Sequence, residues 1–198
     1  TLSSSSAASD VYKRQPQFEL YQEFSNLLSS GKINWFGPEY QDQICINSIK
    51  KDPDNFLLGR ASLFYDWDKS YMDNGKLEVP KRKLPLREAE FTTLCGAFKN
   101  TLFEEVYNII NKKYKTGRIR IMNSQPKTCL TWHSDKQKRL HYPMKTQAGC
   151  LMVINNEAKH LKKNSWYITD TTVDHTAINA SKENRMHMVA CILGERNV

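Results

Sequence analysis

RIRIMN at residues 118–123, in which charged and apolar residues alternate, is the first of six short segments after Gly117; the others are CLTWH (129–133), LHYPM (140–144), GCLMVI (149–154), SWYIT (165–169) and MHMVACIL (186–193). Clusters of Pro, Gly, Asn and Lys separate them without an intervening helical pattern, so each predicts a short strand. Before Gly117, apolar residues recur at helical spacing over 18–28 and 87–114, with a break and N-cap at Asn100-Thr101. Helices followed by successive strands predict an α+β fold with an antiparallel sandwich or barrel.

The rest of the chain sets the predicted domain boundaries. Residues 1–15, TLSSSSAASDVYKRQ, are rich in Ser and Ala and have no hydrophobic period, so we predict a non-native or disordered tail there. Residues 33–85 are irregular, and the second helical range closes at a lysine-rich run with Gly117 as its C′ residue. We therefore predict a single domain over 16–198, with helical support over 16–116 and a strand-rich core over 117–198.

Composition excludes several classes of protein. The chain has 198 residues, of which 39% are hydrophobic and 11% aromatic, which is enough for a packed core and excludes general disorder. No apolar run approaches the roughly 20 residues of a membrane-spanning helix. The five cysteines are scattered and form no CxxC pair, which argues against a zinc finger or a disulfide scaffold and favours buried free thiols in the cytoplasm. The net charge of +8 is compatible with acidic partners.

A histidine constellation in the strand-rich region points to a metal site. His133 and Asp135 are two residues apart, so in an extended strand both side chains face the same side. His175 follows about forty residues later and provides a third ligand. Two imidazoles and one carboxylate can hold Fe(II) on one face and leave positions open for oxygen and a cosubstrate. His-x-Asp alone is a weak pattern, and a single histidine is more often structural than a ligand.

Two basic groups strengthen the hypothesis. Arg185 lies ten residues after His175, at the start of the last apolar strand, where a buried guanidinium requires an anionic partner such as a dicarboxylic acid. Arg139 and His141 share one strand face, although Arg139 taken alone also fits a solvated surface charge. His187 shares a face with Arg185 and fits either a contact to a cosubstrate or simple packing.

Together these residues resemble the aspartyl/asparaginyl β-hydroxylase family of Fe(II)- and 2-oxoglutarate-dependent oxygenases. The resemblance runs from Gly117 to Leu193 and includes Pro126, the RLHYPMKT segment, Trp166 and the Asp170-Thr171 pair, in an order more specific than His-x-Asp. It implies a double-stranded β-helix, the jelly-roll or cupin-like barrel, with N-terminal flanking helices. It also implies an enzyme that hydroxylates an amino acid, free or in a peptide, and releases succinate and CO2.

Carried onto this sequence, the resemblance implies that His133, Asp135 and His175 bind Fe(II). Arg185 would hold the distal carboxylate of 2-oxoglutarate, with Arg139 and His141 as further cosubstrate contacts. The chain is similar to the soluble bacterial branch of the family, which includes proline cis-hydroxylase. The carboxylate of Asp135 favours hydroxylation over halogenation, because related halogenases keep that position small.

One departure and two alternatives remain. A serine that helps bind 2-oxoglutarate in the family is replaced here by Met122. A nucleic-acid oxygenase of the same iron class typically carries a second arginine six residues after the cosubstrate arginine, and this position is Cys191, which argues against nucleic acid as a partner. The other alternative is a non-enzymatic jelly-roll module whose histidines bind a structural metal or none.

Overall fold

The computed structural model describes residues 8–10, 17–37 and 42–196. It contains two α-helices, α1 (Leu20–Ser29) and α2 (Leu102–Lys113), and single-turn 3-10 helices at Trp67–Lys69, Glu88–Glu90 and Gly96–Phe98. The strands are β1 (Ala8–Asp10), β2 (Gln43–Cys45), β3 (Asn47–Ile49), β4 (Tyr71–Asp73), β5 (Lys76–Glu78), β6 (Phe91–Leu94), β7 (Tyr114–Ser124), β8 (Thr128–Cys129), β9 (Arg139–Lys145), β10 (Cys150–Ile154), β11 (Glu157–Lys159), β12 (Tyr167–Thr169), β13 (His175–Asn179) and β14 (Arg185–Glu195).

Two antiparallel sheets form the body of the fold. The larger sheet has the strand order β1-β12-β9-β14-β7-β2, and the smaller has β11-β10-β13-β8. Strands β7 to β10 alternate between the two sheets, as do β11 to β14, and the β10–β11 hairpin joins the two runs. This winding makes a double-stranded β-helix, which confirms the predicted jelly-roll, cupin-like barrel.

The larger sheet turns an apolar face outward to the helices. Tyr142 and Met144 of β9 belong to a buried cluster that also holds Phe24 of α1 and Val106 of α2. The Tyr142 hydroxyl donates to the carbonyl of Phe18 at 2.9 Å and accepts from its N–H at 2.7 Å, which ties the segment before α1 to the sheet. Because side chains alternate along a strand, the intervening residues of the sheet face the barrel interior.

Most local predictions are confirmed. Each of the six predicted strands overlaps an observed strand, and α1 overlaps the first predicted helical range and extends one residue beyond it. Thr101 is the N-cap of α2, and its hydroxyl accepts from the N–H of Phe103 at 3.1 Å. All five cysteines are free, as predicted, although Cys129 is exposed rather than buried. Among the described residues, no helix has the length and apolar composition to cross a membrane.

The prediction of a helix over 87–99 is wrong. This segment forms two single 3-10 turns around strand β6, which pairs with β3. The fully buried amide of Asn47 in β3 decides the outcome. Its Nδ2 donates to the carbonyls of Phe91 at 2.7 Å and Gly117 at 3.0 Å, and its Oδ1 accepts from the N–H of Ile119 at 2.8 Å. Asn47, from a distant part of the chain, thus satisfies one carbonyl of this segment, that of Phe91, which a helix would have satisfied internally.

Two further boundaries differ from the prediction. Helix α2 ends at Lys113 and β7 begins at once, so Gly117 lies inside a strand rather than at a helix C-terminus. In the predicted tail, residues 8–10 form strand β1, which pairs with β12 at the edge of the larger sheet. Backbone pairing at an edge needs no apolar period, which is why the sequence pattern did not indicate it. The rest of the predicted tail lies outside the described residues.

We predict that Asn47→Ala lowers the free energy of unfolding by about 3 kcal/mol, because it leaves three buried backbone groups, one on β6 and two on β7, without partners. Urea unfolding followed by circular dichroism would measure the change. Asn34→Ala is the matched control, since the Asn34 amide is exposed and donates to the neighbouring carbonyl of Trp35. A loss below about 1 kcal/mol for Asn47→Ala would contradict the role given to this amide.

Candidate metal centre and anion site

A cavity of about 1320 Å³ opens between the two sheets. Its walls include inner-face residues of β7, β9 and β14 from the larger sheet and of β10 and β13 from the smaller one. All six residues predicted for the site line this cavity: His133, Asp135, Arg139, His141, His175 and Arg185. The fold therefore brings the whole predicted set together.

His133, Asp135 and His175 form one compact cluster whose candidate ligand atoms all lie within 4.8 Å of one another. Backbone hydrogen bonds hold it. The N–H of His133 donates to the carbonyl of His175 at 3.2 Å, and the reverse bond measures 2.9 Å. The N–H of Asp135 donates to the carbonyl of Thr171 at 2.7 Å. The three side chains are thus positioned by the antiparallel contact of two chain segments.

The hydrogen bonds of the two imidazoles leave their Nε2 atoms available as ligands. Nδ1 of His133 lies 2.7 Å from the carbonyl oxygen of Thr131, and Nδ1 of His175 lies 2.9 Å from that of Val173. A carbonyl only accepts, so each Nδ1 carries the proton and each Nε2 presents a lone pair. Burial lowers the pKa of His175, which keeps this imidazole neutral at pH 7. The donor set fits a divalent metal ion of the iron class.

Arg139 is buried beside this cluster rather than solvated. Its Nε donates to Oδ2 of Asp135 at 2.9 Å, and its Nη1 lies 3.8 Å from Oε1 of Glu88. Burial acts to lower the pKa of Arg139, but the hydrogen bond with Asp135 and the nearby negative charges raise it overall. The structure therefore places Arg139 in contact with a candidate metal ligand, a contact that the sequence did not indicate.

Arg185 is buried at 4% exposure, and no carboxylate lies within ion-pair distance of it in the described part of the chain. Its Nη2 donates to Nδ1 of His187 at 3.0 Å and lies 3.3 Å from Sδ of Met152 in the opposite sheet. Burial lowers the pKa of Arg185 to about 10, so the group remains charged at pH 7. A buried guanidinium that faces a cavity without a protein anion is suited to bind a carboxylate ligand.

His141 and His187 lie beside this guanidinium. Their Nδ1 atoms are 3.4 Å apart, and their Nε2 atoms are buried without hydrogen-bond partners in the part of the chain that the structure describes. Burial, followed by the charge of Arg185, lowers the pKa of both imidazoles well below the usual value, so both are neutral. The structure shows His187 in direct contact with Arg185. A contact between His187 and a cosubstrate stays a prediction.

Arg120 is a cavity residue that the sequence analysis missed. Its Nη1 donates to Oε1 of Gln43 at 2.9 Å, while its Nε is buried without a partner among the described residues. Burial lowers the pKa of Arg120 to about 10, which leaves it charged. The alternation of Arg and Ile in RIRIM places Arg118 and Arg120 on one strand face. The sequence does not show which face of that strand turns toward the cavity.

Two other cavity residues were missed. Glu88 lies in the segment wrongly predicted as helix, which hid its proximity to β7. Ser124 lies two residues after Met122, on the same strand face, and is the register partner of Arg185 across β7 and β14. The cavity therefore has a hydroxyl near Arg185 even though Met122 replaces the serine of the family pattern.

Sequence comparison identifies one family. Residues 20–193 match the model described as aspartyl/asparaginyl beta-hydroxylase. No curated protein matches the chain.

Three similar solved structures each match part of this chain. A cupin domain from Bordetella pertussis Tohama I is 20% identical, with a TM-score of 0.34, over 39% of this chain and 81% of that one. A predicted oxalate decarboxylase from Thermotoga maritima is 16% identical, with a TM-score of 0.35, over 46% and 73% of the two chains. An oxidoreductase of the 2OG-Fe(II) oxygenase family from Burkholderia pseudomallei is 11% identical, with a TM-score of 0.40, over 44% and 56%. At these low scores, the assignment of the fold rests on the strand order.

We predict that Arg185→Met raises the free energy of unfolding of the metal-free protein by about 1 kcal/mol, because it removes a buried charge that has no carboxylate partner among the described residues. Arg139→Met is the matched comparison. It should lower the free energy of unfolding by about 2 kcal/mol, since Asp135 would lose its partner. Urea unfolding in the presence of a chelator would measure both. A marked destabilisation by Arg185→Met would show that its charge is already balanced within the protein.

Proposed function

Since the chain belongs to the aspartyl/asparaginyl β-hydroxylase family, we propose that it is an Fe(II)- and 2-oxoglutarate-dependent dioxygenase that hydroxylates a C–H bond of an amino acid, free or in a peptide. The observation that carries the proposal is the presence, in one cavity, of a His-Asp-His cluster and a buried arginine with no carboxylate partner among the described residues.

His133, Asp135 and His175 would hold the metal through two Nε2 atoms and one carboxylate. Two histidines and a carboxylate are the ligand set of non-haem Fe(II) oxygenases. Bound Fe(II) would supply the oxidative chemistry with O2 that converts 2-oxoglutarate to succinate and CO2 and places one oxygen atom in the substrate. The carbonyls of Thr131 and Val173 keep both imidazoles in the required tautomer without any rearrangement.

The cosubstrate would be anchored by the buried basic groups. Arg185 offers a charged fork for the distal carboxylate of 2-oxoglutarate, and its contact with His187 restricts its orientation. His141 and Arg139 lie between Arg185 and the metal cluster along the inner face of the larger sheet and would provide further contacts. Nη1 of Arg139 is buried without a hydrogen-bond partner in the described chain, so it has a donor to offer.

Arg120 supports an amino acid as the substrate. With Arg185 assigned to the cosubstrate, Arg120 is a second charged group in the cavity with no carboxylate within ion-pair distance in the described part of the chain. A cavity of about 1320 Å³ also exceeds the needs of one small dicarboxylate and leaves room for a second ligand. We therefore assign Arg120 to a carboxylate of the substrate.

Substitution of His133 by Ala should reduce succinate formation at least about 100-fold, because it removes a proposed ligand of the metal. Arg185→Met should reduce it to a similar extent at low 2-oxoglutarate, through a raised KM for this cosubstrate. The measurement is anaerobic loading with Fe(II) and 2-oxoglutarate, followed by exposure to oxygen and quantification of succinate.

His160→Gln is the control for histidine replacement, since His160 contacts the carbonyl of Cys150 through Nδ1. It should retain the activity of the unmodified protein. If His133→Ala and Arg185→Met released succinate at the original rate, the assignment of the site would be wrong. If the unmodified protein bound metal but consumed no 2-oxoglutarate under any condition, a metal-binding module would be the better description.

Arg120→Met should raise KM for the amino-acid substrate about tenfold or more while KM for 2-oxoglutarate changes little, because a charge-assisted hydrogen bond would be lost at one ligand only. The substrate is found by screening free amino acids and peptides for stimulated succinate release. Carboxamide derivatives of the best substrate provide the complementary test. With the unmodified enzyme, their KM should exceed that of the parent substrate by the same factor. Equal effects of Arg120→Met on both KM values would contradict the assignment of Arg120 to a carboxylate of the substrate.

A further inference from the structure

Glu88 lies in a part of the chain where the sequence showed no functional motif, yet its carboxylate reaches the cavity wall. The side chain is 13% exposed and accepts three hydrogen bonds from Arg118. Arg118 Nε and Nη2 donate to Oε1 at 3.1 Å and 2.8 Å, and its backbone N–H donates to Oε2 at 2.9 Å. Nη1 of Arg139 approaches the same Oε1 at 3.8 Å.

These contacts form one line of alternating charges that ends at the metal cluster. Arg118 contacts Glu88, Glu88 faces Arg139, and Arg139 donates to Asp135. Burial acts to raise the pKa of Glu88, but the hydrogen bonds and charge of Arg118 lower it overall, so the carboxylate is ionised. Two positive and two negative groups therefore balance along this line.

The position of Glu88 is constrained on both sides. A Cβ atom at residue 117 would lie 2.7 Å from Oε2 and 2.8 Å from Cβ of Glu88, so the approach of this carboxylate to β7 requires Gly117. On the far side, Nη1 of Arg118 donates to the carbonyls of Gly59 at 2.7 Å and Ala61 at 2.8 Å. Glu88 is thus a fixed carboxylate within a cavity wall, unlike the mobile partner of a surface ion pair.

We propose that Glu88 is a positioning residue of the metal centre, which acts through Arg139. This inference rests on the proposed function, in which Asp135 is a metal ligand. Arg139 and a bound metal ion compete for the negative charge of Asp135. Through the 3.8 Å approach of Oε1 to Nη1, Glu88 offsets part of the charge of Arg139 from the side opposite Asp135, which leaves the Asp135 carboxylate a stronger ligand.

A purely structural role predicts a different pattern of effects, because Glu88 would then matter only as the partner of Arg118. In that case, substitution of either member of the Glu88–Arg118 pair would weaken metal binding in proportion to the loss of stability. If Glu88 acts through Arg139, the two substitutions have opposite electrostatic effects. Loss of Glu88 leaves two arginines, Arg118 and Arg139, with Asp135 as their carboxylate. Loss of Arg118 leaves two carboxylates, those of Glu88 and Asp135, with Arg139 between them.

Glu88→Gln should weaken Mn(II) binding about tenfold, within the range seen when partners of metal ligands are removed. Arg118→Met should bind Mn(II) at least as tightly as the unmodified protein. In an Arg139→Met background, Glu88→Gln should change the affinity less than twofold, because the intermediary is gone. The measurement is titration of the full chain with Mn(II) at fixed pH, followed by the electron paramagnetic resonance signal of free Mn(II), with thermal unfolding of each variant as a check on folding.

Glu90→Gln is the charge-matched control on the same turn, since the Glu90 carboxylate accepts from the backbone N–H of Arg87. It should bind Mn(II) like the unmodified protein. The proposal is overturned if folded Glu88→Gln keeps its Mn(II) affinity within twofold, if Arg118→Met weakens binding as Glu88→Gln does, or if the effect of Glu88→Gln persists without Arg139. Absence of Mn(II) binding by the unmodified protein would instead overturn the metal centre itself.

Discussion

The interior of this barrel is charged, and the rest of the architecture follows from that constraint. Buried guanidinium and imidazole groups of β9 and β14 face the smaller sheet, so the space between the sheets cannot serve as the main hydrophobic core. The apolar residues of the same strands therefore point outward, where α1 and α2 cover them. Residues before Gly117 are for this reason a necessary part of the fold: they bury the outer face of a sheet whose inner face lines the cavity.

The interior charges fall into two groups. Arg118 and Arg139 have carboxylate partners in Glu88 and Asp135, so their charges are balanced within the protein. Arg120 and Arg185 have no such partner among the described residues, and burial lowers the pKa of each to about 10 without removing the charge at pH 7. Arg139 of the balanced pair contacts the cluster of His133, Asp135 and His175, and the unbalanced pair faces the cavity. One cavity can thus hold several like charges at small separation without losing its structure.

The sequence predicted what depends on local pattern. Alternation along a strand and fixed spacing identified β9, β14 and the cluster of His133, Asp135 and His175, since these features repeat over few residues. The sequence pattern failed where a residue far away in the chain determines the local structure. The apolar spacing over 87–99 fits a helix as well as a strand between turns, and the Asn47 side chain from β3 selects the second. The contact of Arg139 with Asp135 was missed for another reason: the two residues are only four apart, but they meet through a turn in the irregular segment between β8 and β9, which has no periodic pattern.

The cluster of His133, Asp135 and His175 combines local and long-range order. In both histidines the Nδ1–H donates to the carbonyl two residues earlier, so the tautomer is set within a short segment of chain. Their mutual position instead depends on the backbone pairing of His133 with His175, which closes only when β8 and β13 are in register. Nearby, Nε of Arg120, Nη1 of Arg139 and Nε2 of His141 are buried without hydrogen-bond partners in the described chain. Unpaired polar atoms cost stability, and here they line the same cavity as the cluster, so ligands that satisfy them bind the native state and shift the folding equilibrium toward it.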